Sequence, residues 1–247
     1  MKEHEDAVGR GYLDCLNGKP DAEITIDRDD GHSDVGMHCR VNFSDHDDWS
    51  EDHRRAVERA RGRVLDVGCG AGRHALYLQR KGHDVVGIDE SPLAIEVCKR
   101  RGLADARVFR FTQVGPALGT FDTILMLGNN FGLFGSARRA RWLLRRLKRI
   151  TSPDALIIAE ATGPYQTSDP GHLAYHERNR RRGRMGGQLR LRARYAGCAT
   201  PWFDYLFVTR DELRVLLDGA GWELVETLDT GSPRYIALIG KTAPSRR

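Results

Sequence analysis

The stretch VLDVGCGAGRHALYL, residues 64–78, sets an aspartate two positions ahead of three alternating glycines, Gly68, Gly70 and Gly72. RVLDVG (63–68) reads as a short apolar strand broken only by Asp66. GRHALYLQRKG (72–82) reads as a helix that Gly82 stops. A glycine turn feeding a helix brings unpaired backbone N–H groups close to a ligand, which usually suits an anion. A carboxylate at the mouth of such a turn needs its own explanation.

The same strand–helix rhythm continues on both sides. HDVVGID (83–89) is a strand, and SPLAIEVCKRRG (91–102) is a helix with Ser91 as N-cap, Pro92 at its first position and Gly102 at its end. ARVFRF (106–111) and FDTILMLGN (121–129) read as strands. SARRARWLLRRLKRI (136–150) is an amphipathic helix with Leu143, Leu144, Leu147 and Ile150 on one face, and DALIIAEA (154–161) is a fifth strand. Repeated βα units with apolar strands predict an α/β, Rossmann-like, mostly parallel sheet with helices on both faces, its ligand at the carboxyl ends of the strands.

Two segments stand outside this rhythm. Residues 1–62 form an N-terminal cap or lid, with short strands predicted at 24–26 and 37–43. A helix is predicted from Asp48 or Ser50 to Gly62. Residues 163–206 form an insertion on the substrate side. Its first part, 163–187, is too long for a plain connection. QLRLRARY (188–195) and WFDYLFV (202–208) then read as an antiparallel hairpin. The cofactor-binding half is 63–162. Residues 207–247 return to the main domain with a capping-box helix, TRDELRVLLDGAG, and two closing strands.

The loop fits two ligand classes. Read from Gly70, GAGRHA matches a dinucleotide-binding pattern, but Asp66 would repel a pyrophosphate. S-adenosylmethionine has no phosphate and carries an ammonium and a sulfonium, so a nearby carboxylate favours it. Asp89, at the end of the second strand, is placed to accept both ribose hydroxyls of either cofactor.

VLDVGCGAGRHALYL, VVGIDESPLAIEVC, FDTILMLGN and TRDELRVLLDGAGWELVE resemble the successive motifs of class I S-adenosylmethionine-dependent methyltransferases over about residues 63–162 and 207–242. The resemblance implies a seven-stranded sheet whose last strand is antiparallel. It implies that Asp66, Gly68, Cys69, Gly70 and Gly72 surround the methionine end, that Asp89 holds the ribose and that Glu90 lies beside the adenine. The family often has an aspartate after the third strand for the adenine amino group. Here FTQVG leaves Thr112 or Gln113 for that task. Asn129 and Asn130, directly after the fourth strand, would face the methyl group or the substrate.

The 247 residues contain 39 Lys/Arg and 34 Asp/Glu, a net charge of +5. By direct count residues 1–60 hold 8 basic and 16 acidic groups, so a near −8 segment precedes a body near +13. A basic body suits an anionic small molecule or a nucleic acid. There is no apolar run long enough to span a bilayer and no signal-peptide core. Five scattered cysteines without a CxxC pair favour reduced thiols and a cytoplasmic location.

The expected reaction is methyl transfer to an O, N or C atom of a small molecule, with in-line alignment as the main contribution. The Asn/Asp-Pro-Pro-Tyr tetrapeptide of many nucleic-acid amino-methyltransferases is absent. The alternative is an RNA or protein methyltransferase, because eight arginines lie between 178 and 194. His172, Tyr175 and His176 in GHLAYHERN are candidates for a base, with Glu160, Asp169 and Asp204 as further carboxylates. No histidine–carboxylate spacing has a metal-site pattern.

Overall fold

A computed structural model describes residues 2–242. The central sheet has seven strands: β3 (Val64–Val67), β4 (Val85–Asp89), β5 (Asp105–Val108), β6 (Phe121–Met126), β7 (Thr151–Thr162), β11 (Trp222–Asp229) and β12 (Arg234–Lys241). Their order is β11-β12-β7-β6-β3-β4-β5. β3 to β7 pair in parallel, and β12 runs antiparallel to both neighbours, as the family resemblance implies.

Strand alternation sorts the core into two faces. Leu65, Val67, Ile124, Met126, Ile157 and Ala159 pack with α5 (Ala137–Arg149) and α7 (Arg210–Leu217). Val64, Leu125, Ile158, Ile236 and Leu238 pack with α2 (Glu51–Val57) and α3 (Arg73–Arg80), and α4 (Pro92–Arg100) lies on the same side. The parity that sends Val64 and Ile158 to this second face also sends Asp66 and Glu160 there. Both are almost fully buried. Among the described residues no helix is long and apolar enough to cross a membrane, and all five cysteines are free.

The segments outside the βα rhythm combine. β1 (Glu23–Arg28) and β2 (Ser33–His38) come from the N-terminal region; β8 (Gln188–Tyr195), β9 (Cys198–Ala199) and β10 (Phe203–Leu206) come from the insertion. They form one antiparallel sheet of order β10-β8-β1-β2, with β9 on β8. The predicted hairpin is present, Phe203 opposite Leu191, but its other edge is taken by β1, Thr25 opposite Arg194. The arginines of β8 fix this join. Arg192 and Arg194 both reach Asp27, at 2.8 and 2.7 Å.

Several predicted boundaries move. The strand expected at 37–43 ends at His38, because Cys39 is buried and its N–H donates to the Ala22 carbonyl, after which the chain coils into a 3-10 turn. The helix capped by Ser50 ends at Val57 rather than Gly62. Its last turn tightens to i→i+3 bonds, and Thr123 Oγ1 both donates to the Arg61 carbonyl and accepts its N–H. The third strand stops at Val108. Within 163–187 a full helix forms, α6 (Pro170–Arg181). Its signal was local: Asp169 is the N-cap, accepting the His172 N–H at 2.8 Å, and Pro170 opens the first turn. Ahead of all these, α1 (Ala7–Leu16) packs on α4.

Candidate active site

From β3 the chain turns through Gly68, Cys69, Gly70 and Ala71 into α3. Gly68, Gly70 and Gly72 have φ of 70°, 54° and 80°, the left-handed region that strains an L-residue by about 1–2 kcal/mol. Space is also short. A Cβ on Gly68 would lie 2.8 Å from Asn130 Nδ2, and one on Gly70 would lie 3.1 Å from the Tyr12 hydroxyl. Helix α1 therefore covers the turn through Tyr12. Beneath it, the Cys98 thiol donates to the Gly70 carbonyl at 3.1 Å, and Cys69 Sγ is 3.8 Å from Cys98 Sγ.

Asp66 is 3% exposed, and its Oδ2 has no hydrogen-bond partner. Burial, then the charge of Asp89, pushes its pKa up to about 7 against the pull of the Ala75 N–H. A buried carboxylate oxygen without a donor is costly unless a cation or proton reaches it.

Asp89 ends β4 and accepts the Gly70 N–H at 3.1 Å and the Ser91 N–H at 2.9 Å. Burial outweighs these two donors and raises its pKa to about 6. Its acceptor capacity is not exhausted, since an ionised carboxylate takes about four donors. Glu90 is exposed beside it. The chain after β5 adjoins this point, with the Phe109 N–H donating to the Asp89 carbonyl at 2.7 Å. Thr112 and Gln113 follow in an exposed 3-10 turn.

The turn after β6 is held from three sides. Asn129 adopts a left-handed φ of 65°; its N–H donates to Glu160 Oε2 at 2.9 Å, its Oδ1 accepts from Thr162 at 3.0 Å, and its carbonyl accepts the Tyr205 hydroxyl at 2.6 Å. Asn130 Nδ2 donates to the carbonyls of Val67 and Gly68, at 3.0 and 2.8 Å. This bond ties the turn after β6 directly to the glycine turn. Tyr205 belongs to β10, so the antiparallel sheet also touches the site.

Sequence reasoning missed the group behind Asn129. His53 of α2 reaches Glu160 Oε2 with Nε2 at 3.3 Å. Its ring lies 5.8 Å from that of His74, which is 4.8 Å from Trp49. Arg73 lies over the Trp49 ring at 4.9 Å. Burial pushes Glu160 up, but His53, the Asn129 N–H and Arg234 hold it below the usual carboxylate range. Burial keeps His74 neutral, well below its ordinary value. Glu160 was weighed as a carboxylate, but its partner was hidden in a helix read only as a cap.

The histidines and tyrosine expected as a base lie on α6. The Tyr175 hydroxyl donates to Asp29 at 2.7 Å and accepts the Arg190 N–H, which pins α6 to the antiparallel sheet. His176 is buried edge-on to Tyr165, and His172 lies against Thr167 and His32. None of the three makes a hydrogen bond or ring contact with the glycine turn, Asp89 or Asn129 among the described residues. Asp169 is a helix cap and Asp204 pairs with Arg190 at 3.1 Å. The arginines of 178–194 are largely engaged as well. Arg178 is bound to Asp29, Arg181 to Glu177, and Arg192 and Arg194 to Asp27.

Comparison with known proteins agrees with this geometry. Residues 64–154 match the family described as "Methyltransferase domain". The chain superimposes on a crystal structure of an S-adenosylmethionine-dependent methyltransferase from Bacteroides fragilis in complex with S-adenosyl-L-homocysteine. The TM-score is 0.83 at 26% identity, covering 98% of each chain. Residues 64–154 are thus a methyltransferase domain, and the chain has the Rossmann-like fold of S-adenosylmethionine-dependent methyltransferases. Among curated relatives, the chain is 41% identical over 69 residues to the magnesium-protoporphyrin O-methyltransferase of Rhodobacter capsulatus. It is 39% identical over 71 residues to the 2-heptyl-1-hydroxyquinolin-4(1H)-one methyltransferase of Mycobacteroides abscessus. These matches cover 26% and 25% of the chain, and 31% of each relative. The orphaned Asp66 oxygen and the Cβ-free turn fit a ligand that is cationic and phosphate-free at this end.

Proposed function

We propose that the protein transfers the methyl group of S-adenosylmethionine to a small molecule held between the strand ends and the antiparallel sheet. The observation that carries this reading is the buried Asp66 carboxylate, whose Oδ2 has no partner, at the mouth of the glycine turn. A pyrophosphate would be repelled there, whereas an ammonium relieves the cost of burying the charge. In this reading Asp66 takes the ammonium. The backbone of Gly68, Cys69, Gly70 and Gly72 lines the amino-acid end, and the free lone pairs of Asp89 accept the ribose hydroxyls. Glu90, Thr112 and Gln113 border the adenine, and Asn129 stands beside the methyl group.

When bound, the donor supplies an electrophilic methyl on a sulfonium. The chain's own work is then to align the acceptor and exclude water. A small acceptor is favoured over RNA because the arginine-rich segment uses most of its charge internally. The relatives point the same way, since their names specify a porphyrin and a hydroxyquinolone. Arginines left exposed, such as Arg182 and Arg184, suit an anionic group on that acceptor.

Calorimetric titration with S-adenosylhomocysteine, in parallel with NAD, tests the reading. The expected result is micromolar affinity for the first and none for the second. Binding of NAD alone overturns it. Copurifying nucleic acid with steeply salt-dependent affinity would replace the small acceptor by RNA.

A further inference from the structure

We propose that His53, oriented by Glu160, is the proton acceptor of the transfer, and that the acceptor substrate therefore presents a hydroxyl group. The proposal rests on the methyl-transfer reading above. Three donors converge on one oxygen, Glu160 Oε2: Gly128 N–H at 2.7 Å, Asn129 N–H at 2.9 Å and His53 Nε2 at 3.3 Å. Glu160 is 2% exposed and remains anionic. A carboxylate there fixes the imidazole with its proton on Nε2 and its lone pair on Nδ1. Nδ1 has no partner among the described residues and keeps access to solvent. The imidazole is thus tethered to the oxygen that also positions Asn129, at the carboxyl end of β6, where sheets of this kind hold their ligands.

Three elements near His53 contribute charged or polar groups to its setting. From α3 come the Arg73 guanidinium, with no carboxylate partner among the described residues, and the neutral His74. From β12, Arg234 stands 3.9 Å from Glu160 Oε1, and from β7 comes Glu160 itself. Glu160 holds the ring in place while the proton is taken up. The step balances. As the hydroxyl oxygen forms its bond to the methyl carbon, the carbon–sulfur bond breaks, its electron pair stays on sulfur, and the hydroxyl proton passes to Nδ1 of His53. An acceptor carboxylate is already ionised at neutral pH and needs no such base, so the dyad suits an acceptor that must lose a proton on transfer, which we take to be a hydroxyl.

Two readouts test this. The first is the 15N–1H spectrum of the histidine side chains at pH 7.5 in the S-adenosylhomocysteine complex, assigned through His53→Ala. We expect a neutral Nε2–H tautomer for His53 and loss of that preference in Glu160→Gln. An Nδ1–H tautomer or an imidazolium in the wild-type protein overturns the proposal. The second is transfer from methyl-labelled S-adenosylmethionine to phenol and to benzenethiolate, which is already ionised. His53→Ala should lose about 100-fold or more in kcat on phenol, with thiolate transfer and S-adenosylhomocysteine affinity unchanged. Equal loss on both acceptors, or no loss on phenol, means that His53 only braces the turn after β6. A wild-type protein that binds no S-adenosylhomocysteine defeats the methyltransferase reading instead. A protein that binds S-adenosylhomocysteine but methylates neither probe overturns the hydroxyl acceptor.

Discussion

The Asp6 carboxylate accepts the Ser91 hydroxyl at 2.6 Å, so the N-cap of α1 holds the N-cap of α4. Asp6 also accepts the Gly9 N–H at 3.0 Å and the Leu93 N–H at 3.1 Å, serving the first turns of both helices. Both residues are buried. Asp6→Ala leaves three donors short of a partner and should destabilise the protein by about 2 kcal/mol. Urea unfolding checks this. Because α1 carries Tyr12 over Gly70, S-adenosylhomocysteine affinity should fall with it; unchanged stability and affinity together would remove α1 from the site.

The carboxyl of Asp66 gives a pH signature with a definite sign. Its folded pKa, about 7, lies above the ordinary carboxylate value, so the folded state holds the proton more tightly than the unfolded one. The stability this provides is complete below the unfolded value and is lost as pH rises through 7. Asp66→Asn removes the titration. Its stability relative to wild type should therefore rise between pH 5 and pH 7, by about 1.4 kcal/mol per unit at most, and level off above. Denaturation at several pH values reads this directly, and a flat difference would mean that Asp66 is ionised throughout. The same variant should bind S-adenosylhomocysteine more weakly and with less pH dependence.

Gly70→Ala tests the cradle. The new Cβ meets both a left-handed φ of 54° and the Tyr12 hydroxyl at 3.1 Å. The strain, about 1–2 kcal/mol, should appear as roughly a tenfold or greater loss of S-adenosylhomocysteine affinity. Adding Tyr12→Phe removes the hydroxyl but leaves the ring carbons at 3.3 and 3.4 Å and the backbone strain, so recovery should be partial. Full recovery would show that crowding alone required the glycine. Circular dichroism establishes that the variants fold.

Asp89→Asn tests the ribose assignment. The amide keeps the size of the carboxylate but loses the charge, and it cannot accept all the donors that Gly70, Ser91 and two hydroxyls present. Affinity should drop about tenfold, about 1.4 kcal/mol. An unchanged dissociation constant in a folded variant would move the ribose elsewhere.

What could be read from the chain was local. The glycine turn, Ser91 before Pro92, and Thr209 three residues before Glu212 are each decided by neighbours in sequence, and each has the expected geometry. The alternating apolar strands fixed the parallel sheet for the same reason. The join of β1 to β8 was invisible because strand pairing depends on a partner far along the chain, and either strand would pair equally well with a nearer one. His53 was invisible for a related reason. On its own helix it is one polar residue among several, and only strand parity in β7 turns Glu160 toward it. The helix α6 had a readable start, Asp169–Pro170, but its buried face is Tyr175, His176 and Asn179 with Leu173 left exposed, so no apolar periodicity marked it.

The ion pair between Asp27 and Arg194 joins positions 167 residues apart. During synthesis β1 and β2 emerge well before β8, the strand that joins them to the insertion. Contacts of such long separation form slowly, whereas the βα units of the central sheet can assemble as they appear. The cofactor half should therefore reach its native packing while the roof over the substrate is still open. In that interval β1 offers an unsatisfied edge to other chains. Binding the methyl donor to the early-formed half would shorten the exposure by stabilising the platform on which the roof closes.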